Sequence, residues 1–289
     1  MAGPSPAAAR NIRRRWSGGF PQAWRRDAAA GKVVAVRELW QGLNQELAGL
    51  VLPSECAGCG LPRVRGELCA RCGGALAGAR PSRVRPWPVP PRLPRVYAAV
   101  PYDGAARAVL LAHKERGALR LARPLGGLLA TAVREARIHA RRAPGKGVGE
   151  EQKRPLTLVP VPSARLAVAG RGHDPVRRVA LAAARELRRE GLPARVLTVL
   201  RQRRTVADQA GLTARERAVN LSGALELVPG SAKLLTGEET LLVDDVMTTG
   251  SSLAEAARAL GEGARTVSAA AVVAFRRKAE KPPWETADN

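Results

Sequence analysis

Two short stretches of this chain combine residue types that can do chemistry. The first is Leu241-Leu242-Val243-Asp244-Asp245-Val246-Met247-Thr248-Thr249-Gly250-Ser251-Ser252. Its apolar start reads as a buried strand, Leu241 to Val243, that ends at two carboxylates. A hydroxyl-rich turn with Gly250 follows, and Ser252 with Glu255 has the spacing of a capping box that opens a helix. Backbone N–H groups in such a turn converge on one point. The helix dipole adds positive potential there, and glycine permits an anion to approach closely. Two acids beside a bare phosphate would be counterproductive. A phosphorylated sugar removes the conflict, with its phosphate in the turn and its hydroxyls donating to Asp244 and Asp245.

The second stretch holds all 4 cysteines, as Cys56-Ala-Gly-Cys59-Gly60 and Cys69-Ala-Arg-Cys72-Gly73. Thiolates in Cys-x2-Cys pairs can wrap one ion, and the glycine after each pair suits a tight reversal. Four sulfurs without a nearby histidine favour tetrahedral Zn²⁺ in a closed structural site, with an iron–sulfur centre as the alternative. His113, His139 and His173 are scattered and read as structural or surface residues.

Composition bounds the setting of both stretches. At 289 residues the chain can bury one substantial core and carry a small module. No apolar run approaches the roughly 20 residues of a membrane span, and no secretory signal follows the Arg-rich start, so a cytoplasmic location is expected. The net charge of +23 makes polyanions natural partners, through DNA binding to the basic surface or through phosphorylated small molecules. An Arg- and Ala-rich composition accounts for the same charge without any partner. Arg63, Arg65 and Arg71 are basic residues within the cysteine module. Aromatic residues are only 3% of the chain, which argues against base-stacking platforms.

The elements that must position these residues follow from pattern. Residues 1–31 read as a basic disordered tail, 32–80 as a helix plus the cysteine module, and 81–95 as a Pro-rich extended spacer. Val36, Leu39, Trp40, Leu43, Leu47 and Leu50 give the first helix its period. In residues 96–277, strands are predicted at 96–100, 156–161, 196–200, 240–243 and 267–275. Helices are predicted at 105–115, 125–142, 176–190 and 253–260. This alternation predicts an α/β fold with a mostly parallel sheet flanked by helices. Asp174 followed by Pro175 marks one helix start, and Gly191 with Pro193 its end. Residues 143–154 read as a charged loop and 278–289 as a solvated tail.

The acid-hydroxyl stretch resembles the 5-phosphoribosyl 1-pyrophosphate (PRPP) signature of type I phosphoribosyltransferases. Further segments narrow the resemblance to the ComF family, including its GntX-like members. Pro160-Val161-Pro162 followed by Arg171-Gly172 resembles the family's strand and Arg-Gly motif. Thr205, Gln209, Leu212, Arg215, Arg217 and Asn220 fall at the spacing of another family pattern, and Lys114 matches a family lysine. His173-Asp174-Pro175 departs from the Phe-Asn-Gln common after Arg-Gly. Cys56-x2-Cys59-Gly60-Leu61-Pro62 resembles the family's zinc ribbon, of which some members carry two.

The resemblance implies a type I phosphoribosyltransferase-like fold with a small four-cysteine zinc ribbon. It implies PRPP bound with Mg²⁺ by Asp244, Asp245, Val246, Met247, Thr248, Thr249, Gly250, Ser251 and Ser252. A pyrophosphate loop would run from Pro162 to Gly172, with Ser163, Arg165 and Arg171. A mobile loop would carry Arg204, Thr205, Gln209, Arg215, Arg217 and Asn220. The implied reaction transfers a phosphoribosyl group to an acceptor and releases pyrophosphate. Two alternatives stand beside it: a PRPP-sensing protein without turnover, and a nucleic-acid-binding component of DNA uptake with competence proteins as partners.

Overall fold

The computed structural model describes residues 55–62, 64–141, 155–163, 168–170, 172–204, 213–235, 239–263 and 266–276. The expected tails, the helix over 33–52 and the 143–154 loop lie outside the described residues, as do Arg63, Arg165, Arg171, Thr205, Gln209 and Leu212. All the described residues belong to one compact unit, 53–289. No helix among them is long and apolar enough to cross a membrane.

The sequence alternation becomes an α/β architecture. The strands are β1 (Ser82–Val84), β2 (Val96–Pro101), β3 (Leu156–Pro160), β4 (Ala194–Val196), β5 (Leu200–Gln202), β6 (Leu225–Leu227), β7 (Glu239–Met247) and β8 (Ala269–Phe275). The helices are α1 (Ala70–Ala77), α2 (Gly104–Glu115), α3 (Ala122–Arg141), α4 (Pro175–Arg189), α5 (Ala214–Leu221) and α6 (Ser251–Glu262). Six strands form one sheet in the order β1-β2-β8-β7-β3-β4, and β5 pairs with β6 separately. Only the β1–β2 ladder of the large sheet is antiparallel.

Both faces of this sheet are covered, which explains its continuous apolar strands. Along β8, Ala269, Ala271 and Val273 face a core built with α2, α3 and α4, while Ala270 and Val272 face the core built with α6. Leu241 and Val243 of β7 join the first core and Leu242 the second, the two-residue period of a strand. Alanine-rich strands bury little area each, so close approach of the helices must compensate. Gly126 on α3 shows how close. A Cβ there would stand 2.4 Å from the Cβ of Ala182 and 2.8 Å from backbone atoms of Ala182 and Ala183 on α4. The clash involves backbone, which cannot swing away. Gly126→Ala should therefore destabilise the fold by about 1–3 kcal/mol despite alanine's better helix propensity. Urea denaturation checks this, and an unchanged or raised midpoint would show that the helices are free to separate.

Two strands differ from expectation. The run predicted as one strand over 196–200 is broken. Ala194–Val196 stays in the large sheet, whereas Leu200–Gln202 pairs with β6. Val199 and Leu200 are buried against the α6 side, so tertiary packing divides a segment whose apolar pattern is continuous. The Pro-rich segment is extended at its start, as expected, but Ser82–Val84 also adds an edge strand to β2.

Helix α4 follows its sequence signals. Asp174 is the N-cap, its carboxylate accepts from the Arg177 N–H at 3.0 Å, and Pro175 occupies the first turn.

Candidate functional site

The acid pair lies within β7, which continues past Val243 to Met247, with Asp244 opposite Val272 and Val246 opposite Ala274 of β8. The turn begins only at Thr248. Gly250 is the N-cap of α6 and adopts the left-handed conformation, φ 77°. The expected capping box is replaced. The Glu255 carboxylate accepts from the Leu225 N–H at 2.9 Å and from the Arg258 guanidinium, tying α6 to β6. Burial would raise its pKa, but Arg258 and the Leu225 N–H outweigh it and hold the carboxyl below its usual range. Helix α6 thus has no side-chain cap. Among the described residues, the N–H groups of Thr248, Thr249, Gly250 and Ser251 have no backbone acceptor, which leaves a turn of donors at a helix start. The Thr249 and Ser251 hydroxyls are 3.0 Å apart.

The two carboxylates are held differently. Asp245 is buried and pairs with Lys114 on α2, Nζ to Oδ2 2.9 Å. The Asp245 N–H donates to Asp244 Oδ1 at 2.8 Å, and the Val246 N–H to Asp245 Oδ1 at 2.7 Å. Asp244 is half-buried, and its pKa is pushed well up, first by loss of solvent and then by the neighbouring Asp245 charge, with Lys114 opposing. One acid is thus positioned through a lysine, and the other ionises only against desolvation and a like charge.

Other elements converge on this point. Arg217 on α5 donates to the Thr248 hydroxyl at 3.2 Å. Arg204 donates to the carbonyls of Asn220 at 2.8 Å and Ser222 at 2.9 Å, so it fastens the end of α5. Arg215 is exposed on α5. That helix begins with a capping box the sequence reading missed. Glu216 accepts from the Thr213 N–H at 2.7 Å, and the Glu216 N–H donates to the Thr213 hydroxyl at 3.3 Å. Pro162 and Ser163 follow β3, and the Ser163 hydroxyl donates to Asp174 Oδ1 at 3.4 Å. Gly172 has φ 70°. Leu93 and Pro86 from the Pro-rich segment lie 3.1 and 3.3 Å from where a Gly250 Cβ would stand, so this segment packs on the turn.

Two histidines read as incidental also gather here. His113, next to Lys114, is 2% exposed, and its ring lies 5.8 Å from that of His173. His113 Nδ1 faces the Ala118 carbonyl at 3.3 Å. A carbonyl only accepts, so the neutral ring carries its proton on Nδ1. Nε2 is buried, without a hydrogen-bond partner among the described residues. Burial holds the His113 pKa below its ordinary value. The only sequence signal was adjacency to Lys114 and Asp174, because histidine has no spacing signature of its own.

The four cysteines converge. Their sulfurs all lie within 4.8 Å of one another, with Cys59 and Cys69 Sγ 3.7 Å apart. All four are free thiols. The Cys69 N–H donates to Cys56 Sγ at 3.2 Å, and the Cys72 N–H to Cys69 Sγ at 3.5 Å. Burial would raise the Cys56 thiol, but N–H groups of Cys69, Cys59 and Gly58 outweigh it and bring the pKa down to about 6. Burial and sulfur neighbours push Cys72 up to about 12. Gly58 keeps the space open, since a Cβ there would meet Cys72 Sγ at 2.8 Å. Gly60 has φ 74° and makes the expected reversal. Gly73 does not. It lies in α1, where its N–H donates to the Cys69 carbonyl at 2.9 Å. Four sulfurs at this spacing are positioned to hold a metal ion such as zinc.

Together these features define an α/β protein with a mostly parallel six-stranded sheet, an acid-flanked donor turn at the end of β7, and a cluster of four cysteines positioned to hold a metal ion. In comparisons with known proteins, no family model matches the chain and no curated protein is significantly similar to it.

Proposed function

We propose that this protein binds PRPP at the end of β7 and transfers its phosphoribosyl group to an acceptor, in a ComF-like phosphoribosyltransferase fold. What supports the reading is one juxtaposition: a half-buried acid, a lysine-held acid and a turn of uncommitted N–H groups within nine residues of β7 and α6. A phosphorylated ribose answers all three. Its 5-phosphate accepts from the N–H groups of Thr248 to Ser251, and its hydroxyls donate to Asp244 and Asp245. Lys114 orients Asp245 for this role, and Arg217 steadies the Thr248 hydroxyl.

In the reaction, a nucleophilic atom of the acceptor forms a bond to the anomeric carbon while the bond from that carbon to pyrophosphate oxygen breaks. Mg²⁺, bound with PRPP, would neutralise charge on the departing pyrophosphate. Fixed donors and positioning perform the protein's share, and no covalent intermediate with the chain is required. Ser163 and Gly172 bracket the segment expected to hold pyrophosphate. In this reading the cysteine cluster is a structural zinc ribbon. The protein works in the reducing cytoplasm, where thiolates persist as metal ligands.

Calorimetry with PRPP and Mg²⁺ should show binding at one site per chain. Release of pyrophosphate in the presence of a panel of nucleobases then separates a transferase from a PRPP sensor. Absence of PRPP binding with Mg²⁺ present sinks both.

A further inference from the structure

Lys114 holds Asp245 from the last turn of α2, where a helix frays most readily. Its long stem has many rotamers, so the pair needs something that fixes the end of the helix. The chain turns at Gly117, φ 68°, and the Ala118 N–H donates back to the Ala112 carbonyl at 3.2 Å. This is the six-to-one bond of a Schellman motif. The Ala118 carbonyl then faces Nδ1 of His113, the residue before Lys114, at 3.3 Å. Backbone and side chain together close the turn.

The same ring reaches the next element. His113 lies 5.8 Å from His173, with the ring planes at 57°. His173 adjoins Asp174, the N-cap of α4, which accepts from the Ser163 hydroxyl beyond the end of β3. A continuous line thus runs from Ser163 through Asp174, His173, His113 and Lys114 to Asp245. Ser163 borders the segment expected at pyrophosphate, and Asp245 is an acid expected at ribose. Burial and His173 disfavour a charge on His113, while the Ala118 and Pro175 carbonyls and Asp245 favour one. A leucine would fill this place in an Ala- and Leu-rich core with no polar group to satisfy. A histidine buried there is kept for its polar contacts.

We infer that His113 is a positioning residue for the ribose acid: it clamps the end of α2 against the start of α4 and so presents Lys114 to Asp245. Its effect on ligands rests on the reading of β7 as a ribose site. The clamp itself is a property of the free protein.

A triple-mutant cycle read by urea denaturation tests the clamp without any ligand. Lys114→Met and Asp245→Asn should couple in the wild type, and His113→Leu should reduce that coupling by at least about half. His113→Asn, whose amide N–H can replace the Nδ1 donor, should retain it. Where His113→Leu does not fold, His113→Gln serves, since its amide falls at the Nε2 position instead. Calorimetry then reads the ligand side. His113→Leu should weaken PRPP with Mg²⁺ by about tenfold and inorganic phosphate by less than about twofold, because phosphate needs only the turn. In a Lys114→Met background the same substitution should change PRPP affinity by less than about twofold, since residues that act in series do not add. A Lys114–Asp245 coupling that is absent from the wild type, or that survives His113→Leu, overturns the inference. So does equal loss of PRPP and phosphate, which would mark a general packing defect, or full additivity with Lys114→Met. A wild type that fails to bind PRPP would sink the β7 reading, and the urea cycle alone would then decide the clamp.

Discussion

Freshly purified protein should carry one zinc per chain, and Cys56→Ser/Cys72→Ser should abolish it and release the segment around the cluster. Both cysteines are buried, and a serine hydroxyl neither ionises near neutral pH nor donates to zinc as a thiolate does. Apparent binding of structural zinc reaches about 10–16 kcal/mol in small modules, comparable to the roughly 5–15 kcal/mol that holds a whole domain. The loss should not stop at the ligands. Leu76 on α1 is part of the large core, and Ala57 and Leu68 pack against it, so the cluster anchors apolar contacts to the main domain. Amide exchange should then show residues 55–79 unprotected while the β2–β8–β7 ladders keep their protection. Gly58→Ala should reproduce much of the zinc loss with every ligand intact, because its Cβ would intrude on Cys72 Sγ. Elemental analysis under reducing conditions decides the matter. Iron in place of zinc, or full zinc retention in the double variant, would refute the assignment.

How much of this was legible beforehand depends on whether a feature is written locally. The cysteine cluster was, because two Cys-x2-Cys pairs dictate their own convergence. Helix α4 was equally readable, since Asp174 and Pro175 act on backbone within one turn. The parallel sheet followed from apolar strands alternating with helical periods. The failures lie where a distant partner outcompetes a local one. Ser252 and Glu255 have the right spacing for a cap, yet Glu255 gains more by satisfying the buried Leu225 N–H and pairing with Arg258. Gly250 then starts the helix from the left-handed region, which a glycine reaches without strain. The run over 196–200 was split because Leu200 finds β6, a partner that no window of neighbouring residues contains. Proline content correctly excluded a helix over 81–94, but it could not reveal that Pro86 and Leu93 pack on the Gly250 turn. His113 acquires its meaning only when α2 brings it beside His173.

Asp244 is the position where stability and binding should part company. In the unliganded protein its carboxylate is desolvated and faces the Asp245 charge, so the ionised form is disfavoured and the pKa is raised. A raised acid withholds stability as pH climbs: the folded state is favoured by protonated Asp244 below the ordinary carboxylate range, and this advantage is lost as pH rises through the folded-state pKa. Asp244→Asn removes the charge and nearly preserves the shape. It should therefore raise the urea midpoint at pH 7, with the difference from wild type shrinking toward pH 4. The same variant should lose PRPP. A carboxylate that accepts from ribose hydroxyls makes charge-assisted bonds worth roughly 1.5–3 kcal/mol each, and an amide oxygen recovers only part of this. PRPP and ribose 5-phosphate affinity should fall at least about tenfold, near 1.4 kcal/mol, with a larger drop when Asp245→Asn is added. Inorganic phosphate, which needs only the turn, should bind as before or better. Asp245→Asn alone separates the two roles. It breaks the 2.9 Å pair with Lys114 and should lower the urea midpoint, opposite in sign to Asp244→Asn. Calorimetry on the three variants and urea titrations at pH 4 and 7 measure all of this. If PRPP binds the double variant as it binds wild type, the ribose is not held by these acids. A site that keeps its ligand while gaining stability from Asp244→Asn would mean that the buried charge serves some other purpose.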